Sequence, residues 1–224
     1  MTTLMPPAKR GLAATAALAI VLLTSAASAT AEDLTGDATA GAGKAAVCTA
    51  CHGLNGNSVN PEWPVLAGQN AAYLREQIVS IKTAKRANPL MQPMVQGLTD
   101  QDVADLAAFY SIQTVAGHEA DPSYWKAGEK LYRGGDVKRD IPACMACHGP
   151  VAHGNPAAGY PALQAQHSVY TINQLNNYAT DARYGKDDKG RTLAGPNAQI
   201  MNTIAARLSA EDRRNLASYI QGIR

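Results

Sequence analysis

Apolar residues recur every three or four positions in two stretches of the chain. The first stretch contains Val103, Leu106, Ala107 and Tyr110, and the second contains Leu216, Tyr219 and Ile220. This spacing places the apolar side chains on one face of a helix. No segment shows the alternation of a half-buried strand, and the many glycine, proline and asparagine residues indicate loops. The pattern therefore predicts an all-α fold.

The same helix-start signal precedes each of these stretches. Thr99 stands three residues before Asp102, and Ser209 stands three residues before Asp212. In a capping box the hydroxyl accepts a hydrogen bond from the third residue's amide, while the acid accepts one from the amide of the cap residue. We therefore predict that the two helices begin next to Thr99 and Ser209.

A second matching segment indicates an internal duplication. The sequence Pro-x-Leu-x-x-Gln occurs at residues 64–69 and again at residues 161–166, and a helical pattern follows each copy. The length of the chain suits two small domains. We expect an N-terminal domain at residues 30–116, a polar linker at 117–123 and a C-terminal domain at 124–224.

The first 29 residues have the form of a secretory signal. Lys9 and Arg10 precede an apolar, alanine-rich run at residues 11–24, and the small residues 27–29 follow it. Since this run is shorter than the ~20 residues needed to span a bilayer, we expect a signal peptide cleaved after Ala29 rather than an anchor. The mature protein is therefore expected to be soluble and periplasmic.

All four cysteines lie in two copies of the motif Cys-x-x-Cys-His, at residues 48–52 and 144–148. Two thiols at this spacing can each add to a vinyl group on one porphyrin edge, and the following histidine can bind the iron. The alternatives are two disulfides, a zinc site or thioredoxin-like redox pairs. A zinc ribbon would not require a histidine after both pairs, and a redox pair would follow a strand in a strand-helix-strand pattern, which the sequence does not show. The sequence therefore predicts two covalently bound haem c groups. The attachment residues are Cys48, Cys51, Cys144 and Cys147, and the iron ligands are His52 and His148.

The sixth ligand of each iron separates electron carriers from haem proteins that bind small ligands or react with peroxide. Outside the signal and the haem motifs, the methionines are Met91, Met94 and Met201. Met91 lies seven residues before Leu98, and Met201 lies seven residues before Leu208. These leucines directly precede the two capping boxes, so the shared register favours Met91 and Met201 as axial ligands. Met94 is then interpreted as packing.

The remaining histidines are rival axial ligands. His118 falls in the linker and His153 lies five residues after His148, so we expect surface positions for both. His167 matches Asn70 of the first copy and is expected to begin a helix. None of the three rivals has a counterpart histidine in the other copy, which a symmetrical bis-histidine scheme would need.

Charge argues against nucleic acid as a partner. Residues 30–224 carry eighteen basic and eighteen acidic side chains and have no formal net charge. Residues 30–115 carry five basic and eight acidic groups, whereas residues 116–224 carry thirteen and ten. Opposite signs would favour docking of the two halves and orient the molecule toward redox partners. Ordinary compositional scatter is the alternative interpretation.

In these features the chain resembles the dihaem cytochromes c4. The resemblance covers about residues 37–223 and rests on both haem motifs, both Pro-x-Leu-x-x-Gln segments and both methionine-to-helix spacings. It implies two tandem cytochrome c-like domains related by a pseudo-twofold axis, with the haem edges facing one another. The axial pairs that it implies are His52 with Met91 and His148 with Met201.

The resemblance also implies a role for the two prolines that open the repeated segments. In cytochromes of this class a proline carbonyl orients the ligand histidine by accepting its other ring proton. Pro64 and Pro161 stand at the matching positions. They are therefore expected to lie behind the two iron ligands.

The function implied by the resemblance is that of an electron carrier rather than an enzyme. Its donor would be a quinol-oxidising complex or a dehydrogenase, and its acceptor a terminal oxidase. Any contact with a membrane would come through these partners. One alternative is a dedicated cytochrome subunit of a sulfide or alcohol dehydrogenase. The other is a dihaem peroxidase, which needs an iron open to peroxide.

One segment breaks the symmetry of the two copies. The interval from His148 to Met201 is fourteen residues longer than that from His52 to Met91, largely through residues 181–196. A charged, glycine-containing, solvated loop is expected there. Such a loop is also placed to shield a haem edge or to contact a partner.

Overall fold

The computed structural model describes residues 1–3 and 35–223. The predicted signal peptide at 1–29 therefore lies, apart from its first three residues, outside the described part of the chain. The described helices are α1 Ala38–Lys44, α2 Ala46–His52, α3 Ala71–Lys82, α4 Gln92–Val95, α5 Asp100–Ser111, α6 Trp125–Gly134, α7 Met145–His148, α8 Ser168–Ala179, α9 Pro196–Ala205 and α10 Ala210–Gly222. Short 3₁₀ turns lie at Leu54–Gly56, Val137–Arg139 and Pro156–Ala158.

The all-α prediction is confirmed for these residues. The β pairing among these described residues is limited to isolated bridges, and they form no strand. Helices α1–α5 form an N-terminal half and helices α6–α10 form a C-terminal half, and both belong to one compact unit at residues 33–224. Among the described helices, none combines the length and the hydrophobicity that crossing a membrane requires.

Each half is built around a crossing of its first and last helices. Helix α1 packs against α5, and α6 packs against α10. Glycines allow the close approach: a Cβ placed on Gly41 would lie 2.1 Å from the carbonyl oxygen of Asp105, and one placed on Gly128 would lie 2.0 Å from that of Asn215. The two backbones touch at equivalent points, so neither crossing has room for a larger residue.

Both predicted capping boxes are present. The hydroxyl of Thr99 accepts a hydrogen bond from the amide of Asp102 at 3.1 Å, and the carboxylate of Asp102 accepts one from the amide of Thr99 at 2.8 Å. Ser209 and Asp212 repeat these two bonds at 3.1 and 2.8 Å. The boxes fix where α5 and α10 begin. The apolar residues that follow are buried, as their spacing predicts: Val103, Leu106, Ala107, Tyr110, Leu216, Tyr219 and Ile220.

The two halves meet through reciprocal contacts. The side-chain amide of Gln69 donates to the carbonyl of Ala162 at 2.8 Å, and that of Gln166 donates to the carbonyl of Val65 at 3.0 Å. Gln69 and Gln166 close the two Pro-x-Leu-x-x-Gln segments, while Val65 and Ala162 follow their prolines. Contacts that repeat with the two partners exchanged are produced by a twofold axis, as the expected pseudo-symmetry requires.

The extra residues 181–196 differ from the expected solvated loop. They form a short hairpin whose turn is exposed but whose base pairs with the N-terminal half. The amide of Gly185 donates to the carbonyl of Lys85 at 2.8 Å, and Arg86 forms an antiparallel bridge with Tyr184. Backbone pairing across the interface satisfies polar groups that a solvated loop would leave to water.

Candidate haem sites

Both Cys-x-x-Cys-His motifs lie on short helices that end at the histidine. The first motif forms the last turn of α2, and the second begins at Cys144, the residue that caps α7. Residues three apart on a helix lie on neighbouring turns of one face, so both cysteines of a motif point the same way. All four cysteines are half-buried, and none forms a disulfide. Each helix therefore presents two thiols side by side next to its histidine.

Each histidine is held through one ring nitrogen. Nδ1 of His52 lies 2.9 Å from the carbonyl oxygen of Pro64, and Nδ1 of His148 lies 3.0 Å from that of Pro161. Since a carbonyl only accepts, Nδ1 carries the proton in both rings and Nε2 has the free lone pair that binds a metal. The two prolines thus occupy the positions that the resemblance implies for them.

Burial keeps both imidazoles neutral. The residues are only 5% and 7% exposed. Desolvation lowers the pKa of His52 and of His148, against a smaller opposite effect of the proline carbonyls. A neutral imidazole with Nδ1 engaged is the form that binds iron.

The methionines stand on different backbone in the two halves. Met91 directly precedes the four-residue helix α4, and its amide donates to the side-chain oxygen of Asn88 at 3.1 Å. Met201 lies inside the ten-residue helix α9. Both side chains are half-buried, while Met94 is 55% exposed. The interval of seven residues from methionine to leucine is therefore the same in both halves, although the helices in these segments differ in length.

In the C-terminal half, residues next to the motif and residues next to Met201 face one cleft. The cleft has a volume of about 480 Å³. Ile141 and Pro142, which come just before Cys144, line one side, and Ile200 and Ile204 of α9 line another. The fold thus brings the approach to the second motif and the helix of Met201 to one cleft, which the ion-paired Asp140 and Arg207 also line.

The rival histidines have other surroundings. His153 is exposed, which confirms the expected surface position. His167 precedes the first residue of α8 as expected, and its buried Nε2 lies 2.9 Å from the carbonyl oxygen of Ser58. His118 was expected on the surface but is half-buried, because its ring packs 4.4 Å from that of His167. This histidine pair lies between residues of the two halves rather than next to a haem motif.

A pair of buried arginines that the sequence interpretation missed also lies between the halves. Arg86 is 9% exposed and donates to the hydroxyl of Tyr170 at 3.3 Å, while Arg183 is 4% exposed and donates to the hydroxyl of Tyr73 at 3.0 Å. Each arginine thus reaches a tyrosine of the other half. A signal for them exists, because each follows the glutamine of the neighbouring helix, Gln77 or Gln174, by nine residues.

The surroundings of these two arginines show whether the residues present fit a bound haem. Neither forms an ion pair with a carboxylate in the part of the chain that the structure describes, and Nε of Arg183 is buried without a hydrogen-bond partner. Buried charges are normally paired. A haem carries two propionate carboxylates, so the buried guanidinium groups are suited to hold them. Together with the paired thiols and the neutral histidines, the residues present fit the predicted group.

Two all-α halves, each with a haem-attachment motif and a histidine held by a carbonyl, define a c-type cytochrome with two haem domains. The comparison with protein families agrees, since the model described as Cytochrome c matches residues 38–112 and 125–224. Each match contains one Cys-x-x-Cys-His motif and one capping box.

Known cytochromes match most of the length of this chain. The chain is 45% identical to cytochrome c4 of Azotobacter vinelandii over 197 residues, which covers 84% of this chain and 90% of that protein. The crystal structure of reduced recombinant cytochrome c4 from Pseudomonas stutzeri matches with a TM-score of 0.77 and 43% identity, covering 85% of this chain and all of that one. The chain belongs to the dihaem cytochrome c4 family. It carries two covalently bound haem c groups and is an electron-transfer protein, not an enzyme.

A less similar relative has a more specific description. The thiosulfate dehydrogenase electron acceptor of Thiomonas intermedia is 33% identical over 182 residues, which covers 79% of this chain and 78% of that protein. A protein that is similar over most of this chain is therefore described as the electron acceptor of a particular enzyme.

Proposed function

We propose that this cytochrome is an exported, periplasmic carrier that takes electrons from a quinol-oxidising complex or a dehydrogenase and delivers them to a terminal oxidase. This proposal is supported above all by the equivalent surroundings of the two histidines. Each is buried and neutral, and its Nδ1 donates to a proline carbonyl. Two similarly held irons suit electron transfer better than a division into one closed and one reactive iron. The signal-like N-terminus supports export.

The proposed iron ligands are His52 with Met91 in the N-terminal half and His148 with Met201 in the C-terminal half. Bound haem supplies the change between ferrous and ferric iron. The chain fixes the histidine orientation through Pro64, excludes water with the surrounding apolar residues and supplies the soft sulfur ligand that favours the reduced iron. Pro161 has the same role for His148.

We also propose that the carrier consists of two electron-transfer domains, at residues 30–116 and 124–224, joined by a linker at 117–123. No helix is present between Ser111 and Trp125 in the described chain, which supports a linker in this interval. The reciprocal contacts between the halves would keep the two haem groups at a constant separation. That separation sets how fast electrons pass from one to the other.

The methionine assignment is tested by opening one iron at a time. In the reduced protein with two bound haems, carbon monoxide should leave the visible spectrum unchanged, because both irons have six ligands. Met91→Ala should allow carbon monoxide to bind one haem, and Met201→Ala should allow it to bind the other. Met94→Ala is the matched control, since it removes a neighbouring methionine and should leave both irons closed.

Two results of this experiment would overturn the proposal. Binding of carbon monoxide to the unmodified protein would show an open iron and favour the peroxidase alternative. Opening of an iron in Met94→Ala, with Met91→Ala closed, would replace Met91 by Met94 as the ligand.

A second candidate function is that of a dedicated acceptor for a dehydrogenase, as in the alternative of a sulfide or alcohol dehydrogenase subunit. The relative described as a thiosulfate dehydrogenase electron acceptor favours thiosulfate oxidation among such reactions. Stopped-flow reduction of the oxidised cytochrome by a purified thiosulfate dehydrogenase, compared with reduction by a quinol-oxidising complex, separates the two candidates. Faster reduction by the complex would support the first.

A further inference from the structure

Two buried glutamines clamp the backbone of the opposite half. Oε1 of Gln166 accepts from the amide of Val65 at 2.9 Å, and its Nε2 donates to the carbonyl of the same residue at 3.0 Å. Gln69 makes the same pair of bonds with Ala162, both at 2.8 Å. Both glutamines are 8% exposed. Because a backbone amide only donates and a carbonyl only accepts, the orientation of each side-chain amide is fixed.

Each clamp ends on the peptide group that holds a haem-motif histidine. The amide of Val65 and the carbonyl of Pro64 belong to one peptide unit. The carbonyl oxygen of that unit accepts from Nδ1 of His52 at 2.9 Å, and its amide donates to Gln166. A single planar group therefore links a glutamine of the C-terminal half to the histidine of the N-terminal half.

The opposite connection is built in the same way. The carbonyl of Pro161 accepts from Nδ1 of His148 at 3.0 Å, and the amide of Ala162, in the same peptide unit, donates to Oε1 of Gln69 at 2.8 Å. In each case a glutamine of one half is connected, through one peptide group and two hydrogen bonds, to the haem-motif histidine of the other half.

Hydrogen bonds in such a chain strengthen one another. When a peptide amide donates to an oxygen, the carbonyl of the same unit becomes more negative and accepts more strongly. A stronger bond from Nδ1 makes the imidazole a more basic metal ligand. A more basic ligand stabilises ferric iron and lowers the reduction potential of the haem.

We propose that Gln69 and Gln166 are positioning residues that tune, across the interface, the axial histidine of the opposite half. This inference rests on the proposed ligation by His52 and His148. Docking of the two halves is then part of what sets each reduction potential.

The test is a pair of isosteric substitutions in the full protein with both haems bound. Gln166→Met removes the acceptor for Val65 and should raise the potential of the haem attached next to His52, with a smaller change at the other haem. Gln69→Met should do the reverse. Spectroelectrochemical titration gives the two potentials, and haem methyl resonances of the oxidised protein assign them to the halves.

Gln166→Glu keeps an acceptor oxygen toward Val65 and guards against misfolding of the methionine variant. Its haem next to His52 should have a potential at or below the unmodified value, whereas Gln166→Met should raise that potential. Asn70→Ala is the control for a merely loosened interface. It removes the bond from Nδ2 of Asn70 to the carbonyl of Tyr160 at 2.7 Å, which lies across the same interface but does not reach a histidine-holding peptide. Asn70→Ala should leave both potentials unchanged.

Three results distinguish the possible failures. Methionine variants that shift the potentials no more than Asn70→Ala would overturn the tuning, as would shifts confined to the haem of the mutated half. Ring protons of His52 and His148 without paramagnetic shifts in the oxidised, unmodified protein would instead overturn the proposed ligation. Paramagnetic shifts in both rings, with opposite-half potential changes in the two methionine variants, would support both proposals.

Discussion

In the N-terminal half a lysine of the first helix forms ion pairs with carboxylates of the last helix. In the C-terminal half the corresponding cation is an arginine that comes from a loop. Nζ of Lys44 in α1 lies 2.8 Å from the carboxylate of Asp102 and 2.5 Å from that of Asp105. In the C-terminal half, Arg139 lies 2.5 Å from the carboxylate of Asp212. Asp102 and Asp212 are the acids of the two capping boxes. The halves thus share a neutralised cap but use different elements to neutralise it.

This difference follows from the extra loop that precedes the second haem motif. The 3₁₀ turn Val137–Arg139 has no counterpart in the N-terminal half, where α1 leads almost directly into α2. The loop carries Arg139 to the start of α10, and Asp136 holds it there through a 2.7 Å ion pair. The helix crossings, the capping boxes and the proline contacts to the histidines repeat closely, whereas the elements that supply the neutralising cations differ.

Of the features that the two halves share, the helix crossings should be the most sensitive to substitution. Gly41→Ala or Gly128→Ala would place a Cβ about 2 Å from a backbone carbonyl oxygen of the opposite helix. The helices must then move apart, and we expect each substitution to lower the free energy of unfolding by about 3 kcal/mol, at the upper end for overpacking. Urea unfolding of the haem-loaded protein measures this loss.

Matched controls for the crossings lie on the same two helices. A Cβ on Gly43 in α1 or on Gly134 in α6 would have no neighbour within 4 Å. Gly43→Ala is expected to stabilise by about 0.5–1 kcal/mol, because alanine loses less backbone freedom on forming a helix. Gly134→Ala should have a smaller effect of the same sign at the end of its helix. Equal stability of Gly41→Ala and Gly43→Ala would contradict the close contact at the crossing.

The helix crossings could not be predicted from the sequence, whereas the elements that cross could. The haem motifs, the capping boxes and the helix periodicity are local patterns, so spacing along the chain was enough to predict the all-α fold and its duplication. The role of Gly41 is not local, because nothing near it in the sequence names the carbonyl of Asp105 as its neighbour. The same holds for Gln69 and Gln166, whose repetition was visible but whose partners lie in the opposite half.

The hairpin shows the same limit in another form. Residues 181–196 have the composition of a solvated loop, and their turn is indeed exposed. Their contact with Lys85 uses backbone groups, which carry no side-chain pattern to predict it. Arg86 and Arg183 stand in register in the sequence, yet only the structure shows that both are buried at the interface.

Lys44 and Arg139 neutralise the two capping-box acids in unequal surroundings. Each cation contacts two carboxylates, but Lys44→Met should be more damaging than Arg139→Met, because only Lys44 contacts a buried one, that of Asp105. We expect the melting temperature to fall by a few degrees for Lys44→Met and by about half as much for Arg139→Met. Calorimetry of the two variants at neutral pH checks this order.

The pH dependence of the same variants separates the causes. The amide of Asp37, and after it Lys44, lowers the pKa of Asp105 to about 2. Because the folded-state pKa lies below the ordinary carboxyl value, this stabilisation is present above about pH 4 and is lost as the pH falls toward 2. Lys44→Met should therefore unfold at a higher pH during acid titration than the unmodified protein. An unchanged acid midpoint would mean that the Asp37 amide and the side chain of Gln101 keep Asp105 ionised without Lys44.

The smallest expected effects are those of the capping hydroxyls. Thr99→Ala and Ser209→Ala each remove one acceptor from a box with equal bond lengths, so each should lower the free energy of unfolding by about 1 kcal/mol. Thr203→Ala is the control, because this exposed threonine bonds only to the carbonyl of Gln199 within α9; a change within about 0.5 kcal/mol is expected.

Chemical unfolding of the three variants under one set of conditions compares the caps directly. Equal losses for Thr99→Ala and Ser209→Ala would mean that the change of cation from Lys44 to Arg139 does not alter what each hydroxyl contributes to stability. A clearly larger loss for Thr99→Ala would mean that Lys44 and the hydroxyl depend on each other through the carboxylate that they share. In that case the use of different cations in the two halves would also change how strongly the capping hydroxyl stabilises each helix.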